Sequence, residues 1–118
     1  MLAALQNAPQ VVTSVITRIE CLRTLTRHES TAAVQRDLVQ QARGVFNYSA
    51  AAWTRRELDL PVFERAWQRF PVEPVRTLDA IHLATALEFH AALGSLTMLS
   101  LDERIRANAT ALGLEVAP

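Results

Sequence analysis

Apolar and polar positions recur with two periods along this chain, and the changes of period mark its elements. Residues 2–7 read as the tail of a helix ended at Pro9. Gln10-Val11-Val12-Thr13 is a short β-branched run, the pattern of a buried strand. Ser14 then stands where a cap is wanted, before a helix with Val15, Ile16, Ile19, Leu22 and Leu25 at helical spacing. A second helix is expected over 31–54, with Ala33, Val34, Leu38, Ala42, Val45 and Phe46 inward. Leu58-Asp59-Leu60 before Pro61 reads as a short strand. Residues 62–70 read as a helix with Phe63, Ala66, Trp67 and Phe70 on one face, stopped by Pro71 and Pro74.

The most apolar helix begins at Thr77 and runs from Leu78 to about Ala92. Its apolar residues lie nearly all round, which predicts deep burial. Gly94 is a natural stop. Leu96-Thr97-Met98-Leu99-Ser100 reads as a strand, Asp102 caps a last helix running to about Leu112, and Leu114-Glu115-Val116 is a final strand after Gly113. Strands alternating with helices predict a parallel α/β sheet.

Composition narrows the function. The 118 residues suffice for one domain with a single core, and half of them are hydrophobic. Twelve basic residues balance twelve acidic ones, which argues against a general cationic coat for nucleic acid but leaves room for a local basic rim. Cys21 is the sole cysteine, so no internal disulfide forms and a reducing compartment is expected. The opening Met1-Leu-Ala-Ala-Leu-Gln-Asn has no basic n-region, and no run approaches the roughly 18 apolar residues of a membrane span. A soluble, cytoplasmic protein is expected.

Three acids stand out by position. Sites in parallel α/β sheets form at the carboxyl ends of strands. Asp102 follows the 96–100 strand, Glu20 lies early in the helix after the 10–13 strand, and Asp79 lies in the first turn of the buried helix. The expectation is that the three converge on one cleft. Like charges so gathered need a cation, and oxygen ligands suit Mg²⁺ or Mn²⁺ and phosphoryl chemistry. Each acid also has a plainer role. Asp102 serves as an N-cap, Glu20 closes a Thr17-Arg-Ile-Glu20 capping box, and Asp79 is a favourable charge at a helix start. His82, one turn from Asp79, reads as a structural, hydrogen-bonded histidine, and His28 and His90 as surface residues. Arg76 is a candidate phosphate contact or a plain salt bridge, and Ser100 a candidate support for Asp102.

Three of these segments carry a resemblance. Val75-Arg-Thr-Leu-Asp79-Ala-Ile-His-Leu-Ala-Thr-Ala86 resembles the third acidic motif of PIN-domain nucleases. Leu99-Ser-Leu-Asp102-Glu-Arg-Ile resembles the fourth, and Val12-Thr-Ser-Val-Ile-Thr-Arg-Ile-Glu20 the second. Order and spacing agree over nearly the whole chain. The resemblance implies an αβα sandwich around a parallel sheet, a Mg²⁺ or Mn²⁺ site and cleavage of single-stranded RNA. VapC-like members of the family are toxins neutralised by a cognate antitoxin, and many form homodimers. Glu20, Asp79 and Asp102 would then be catalytic and metal-ligating, with Ser100 supporting and Arg76 binding substrate.

The chain departs from the family at its start. The family opens with a strand ending in Asp, whereas the first strand here matches the family's second and nothing before Val11 is acidic. The reading is a PIN-like fold that is N-terminally incomplete by about 15–20 residues, one short strand and a connection. A weak or inactive ribonuclease is therefore expected. Two other readings stand beside it: a non-catalytic module that binds an antitoxin or another protein, and a structural α/β domain whose acids are helix caps.

Overall fold

The computed structural model describes residues 2–31 and 36–118. The chain forms α1 (Leu2–Asn7), β1 (Val12–Ser14), α2 (Ile16–Thr31), α3 (Arg36–Ala50), β2 (Thr54–Arg56), α4 (Leu60–Ala66), α5 (Thr77–Leu93), β3 (Thr97–Leu99), α6 (Glu103–Ala111) and β4 (Glu115–Ala117). The expected inward positions Ala33 and Val34 lie outside the described residues.

Helix α5 organises the core. Ala80, Leu83, Ala84, Thr85 and Ala86 are all buried along it. The small side chains of Ala80, Ala84 and Ala86 let α4 and α6 approach closely, and α5 also packs against β1. Thr85 satisfies its hydroxyl within the helix by donating to the Ile81 carbonyl at 2.8 Å. Gly94 ends the helix with φ 80° and its N–H on the His90 carbonyl, a left-handed conformation that glycine adopts without Cβ strain. Around α5 gather Phe70, Ile105, Ala109 and Leu114, with Met98 and Val116 packed on them.

Among the described residues three polar side chains are buried, Ser14, Thr85 and Asn108. Asn108 on α6 is fully buried, and its amide meets the backbone of Val72 twice. Oδ1 accepts from the Val72 N–H at 2.9 Å, and Nδ2 donates to the Val72 and Arg104 carbonyls at 2.9 and 3.0 Å. The pairing satisfies backbone groups that an irregular loop leaves open, and it fixes the segment leading into α5.

The strands are parallel, as the alternation predicts, but they form two ladders. β1 pairs with β2 (Val12↔Thr54) and β3 with β4 (Thr97↔Glu115). Among the described residues no strand joins β1 to β3.

Three local expectations are corrected. The strand placed at 58–60 lies instead at Thr54–Arg56. Asp59 is the N-cap of α4, its Oδ1 accepting from the Val62 N–H at 3.3 Å, with Pro61 in the first turn where its missing N–H costs nothing. The helix expected over 31–54 ends at Ala50, where turn bonds from Ala52 to Ser49 and from Trp53 to Ala50 redirect the chain into β2. The shared apolar face over 62–70 also divides. Phe70 is buried in the core while Phe63 and Trp67 are 41% and 71% exposed, and α4 ends at Ala66, so Phe70 does not continue its face.

Candidate active site

α2 and α3 pack on each other as a helical hairpin, and α2 buries none of its residues completely. A cleft of about 420 Å³ opens where this hairpin meets α5. Thr17, Glu20, Cys21 and Thr24 line it from α2, Phe46 from α3 and His82 from α5.

Glu20 and His82 meet there. Glu20 Oε1 and His82 Nε2 share a hydrogen bond between side chains that are 36% and 20% exposed. Asp79 lies three residues before His82 and therefore on the same face of α5, one turn away. The carboxylate of Asp79 is mostly covered, and its Oδ2 takes a 3.4 Å ion pair from Nε of Arg76. Arg76 itself is 84% exposed, so the pair holds a mobile cation near the acid at little energetic gain. Cys21, beside Glu20, keeps its thiol proton above the usual range: burial disfavours the thiolate, and the Glu20 carboxylate adds repulsion.

Asp102 is occupied differently. Its Oδ1 accepts from the N–H groups of Arg104 and Ile105 at 2.9 and 3.0 Å, the bonds of an N-cap. Ser100 supports the same turn, its Oγ accepting the Asp102 N–H at 3.1 Å. The serine thus braces the backbone of Asp102 and not its carboxylate.

The geometry joins Glu20 to His82, places Asp79 one turn before His82 on α5, and leaves Asp102 at the start of α6. Among the described residues no group of three or more His, Cys, Asp and Glu side chains is arranged to hold a metal ion. The expected convergence into a three-carboxylate cation site is not present in this arrangement. The physical reason is that each acid already has a partner: an imidazole, a guanidinium and a helix N-terminus.

His82 is the residue whose part in the site the sequence understated. Its helical distance from Asp79 was the available signal, but its partner Glu20 is 62 residues away.

Helices packed with parallel strands define the class as an α/β domain. The chain belongs to the PIN domain family, whose model matches residues 1–111. No curated protein and no solved structure gave a significant match. PIN domains are α/β folds that generally act as nucleases and typically use divalent metal ions, so this is a nuclease-like module. Among the described residues no helix is long and apolar enough to cross a membrane.

Proposed function

We propose that this chain is a toxin-type PIN endoribonuclease that hydrolyses phosphodiester bonds of single-stranded RNA, with Glu20, Asp79 and Asp102 as its acids. The observation that carries the reading is the Glu20–His82 pair, one helical turn from Asp79 and lining a cleft open to solvent. A hydrogen-bonded carboxylate and imidazole can together take a proton from an attacking water and return it to a leaving oxygen. Arg76, exposed at the start of α5, supplies positive charge for a phosphate. The hydroxyl of Ser100 keeps the Asp102 turn in place.

Mg²⁺ or Mn²⁺ is the cofactor the family resemblance implies, and oxygen ligands would select such a hard cation. The carboxylates as arranged do not fit that group, so no step is routed through it. The cognate antitoxin and the homodimer belong to the same proposal and rest on the resemblance, and the cytoplasmic setting rests on the single cysteine and the pattern of apolar runs.

A second reading has one observation in its favour. Asp79 and Asp102 are already engaged by Arg76 and by the α6 backbone, as expected of a non-catalytic module that binds an antitoxin or another protein partner.

Cleavage of a single-stranded RNA, with Mg²⁺ or Mn²⁺ added, separates the two. Substituting Asp79→Asn should lower cleavage by about 100-fold or more, the scale of a lost acid–base group, with little change in melting temperature. Equal cleavage by the two proteins would remove Asp79 from the site. No cleavage by the unsubstituted chain would leave the binding module.

A further inference from the structure

All twelve basic side chains of this chain are arginines. Two of them line one shallow cleft. Arg23 and Arg27 lie one and two turns beyond Glu20 on α2, about 4.5 and 10.5 Å along the helix axis at 1.5 Å per residue. The i, i+3, i+7 spacing puts all three on one side of the helix. Both guanidinium groups are exposed, and among the described residues neither has an acidic partner.

The other acid of α2 faces away from them. Glu29 is held on the α3 side by Arg43 at 3.2 Å and by Gln40 at 2.7 Å. Glu29 is thus neutralised within the hairpin, on the side opposite Arg23 and Arg27. Arg23 and Arg27 border a shallow cleft of about 280 Å³ shared with Thr26, Ser30 and Thr31. Those three hydroxyls donate back to the carbonyls of Leu22, Thr26 and Arg27. The guanidinium groups are therefore the donors this cleft presents to a ligand.

We infer that Arg23 and Arg27 form a phosphate-binding strip that receives the backbone of a single-stranded nucleic acid and leads it to Glu20. Guanidinium suits the task, because its planar fork matches phosphate and is more weakly hydrated than an ammonium group. Two consecutive phosphates lie on the two arginines, and the next nucleotide along the strand meets the cleft that holds Glu20 and His82. A neutral overall charge is compatible with this, since the strip acts locally. The inference rests on the nuclease reading above and adds the path by which the strand enters.

The test is the salt dependence of binding a labelled oligouridylate without divalent ions, which reads the strip separately from catalysis. For single strands the slope of log K against log salt falls by about 0.7 for each phosphate contact removed. The doubly substituted Arg23→Gln, Arg27→Gln chain should therefore lose about 1.4 from the slope. Its affinity loss between about 50 and 200 mM salt should be about sevenfold smaller than that of the unsubstituted chain. Arg69→Gln, an exposed change in the loop after α4, should leave the slope as it was. An unchanged slope in the double variant, with binding intact, overturns the strip and leaves the nuclease reading standing. An unsubstituted chain that neither binds nor cleaves RNA overturns both.

Discussion

His82 Nε2 and Glu20 Oε1 share a hydrogen bond that ties α5 to α2 across 62 residues of chain. Since α2 buries no residue completely, this bond is one of few specific ties between the α2–α3 hairpin and the body of the fold. His82→Ala should lower stability by about 1 kcal/mol, because both groups are partly exposed and solvent screens the pair. In a domain of this size that is a fall of about 3–6 °C in melting temperature. A double-mutant cycle with Glu20→Gln checks that the loss belongs to the pair: the two changes should be non-additive by about 0.5 kcal/mol or more. Strict additivity would mean the two side chains act independently.

Glu73 gives the fold a dependence on acid. Its Oε2 accepts the Phe70 N–H at 2.8 Å and its Oε1 the Val75 N–H at 2.6 Å, closing the loop before α5. The Phe70 bond, foremost, holds the carboxyl below its ordinary value of 4.5, helped by the Val75 bond and by Arg69 and Arg104. A depressed carboxyl contributes stability above its unfolded value and loses it as pH falls through the folded value. Melting temperature should therefore drop as pH falls below about 4.5. In Glu73→Gln this group's share of the acid dependence should vanish, and the variant should be less stable at neutral pH. Parallel pH–melting curves for the two proteins would contradict the assignment.

Asp102 can be divided into its two roles by substitution. Asp102→Asn keeps an oxygen that accepts from the Arg104 and Ile105 N–H groups, so stability should change by no more than a few tenths of a kcal/mol. Asp102→Ala removes the cap and should cost about 1 kcal/mol. If the acid also serves the proposed chemistry, the asparagine variant loses RNA cleavage at an unchanged melting temperature. Full cleavage by a stable asparagine variant would make Asp102 a cap alone.

The sequence made the second half of the chain legible for particular reasons. α5 is apolar all round and ends on a glycine, and Asp102 stands between a strand and a helix where a cap is expected. Strand β2 was hidden because Thr54-Arg55-Arg56 lies at the surface and offers no apolar alternation. Leu58-Asp59-Leu60 carried the stronger apolar signal, yet Asp59 and Pro61 together form a helix start. Trp67 matched a helical face in the sequence, but its exposure depends on where α4 ends, and periodicity does not fix that boundary. The partners of the acids were legible only where they were local. Arg76 is three residues from Asp79, and the capped N–H groups are two and three residues from Asp102. The Glu20–His82 contact depends on tertiary packing, for which one sequence carries no direct signal.

The two separate ladders lead to a prediction about association. Among the described residues β1 hydrogen-bonds to β2 alone and β3 to β4 alone, so each ladder has an edge whose N–H and C=O groups meet no strand. Such edges recruit further strands. The hairpin adds apolar surface, with Leu38, Val45 and Tyr48 exposed along one side of α3. The chain should therefore self-associate as concentration rises, seen as a growing apparent mass in light scattering. Appending a family-like strand that ends in Asp should satisfy part of these edges and place a further carboxylate beside the existing acids. The extended protein should scatter as a smaller species and melt about 5 °C or more higher, the shift that roughly 1–2 kcal/mol produces. It should also bind Mn²⁺ more tightly, because an added carboxylate strengthens a site for a hard cation. A 118-residue chain that stays monomeric at all concentrations, and an extension that alters neither melting nor Mn²⁺ affinity, would show that these ladders need no added strand.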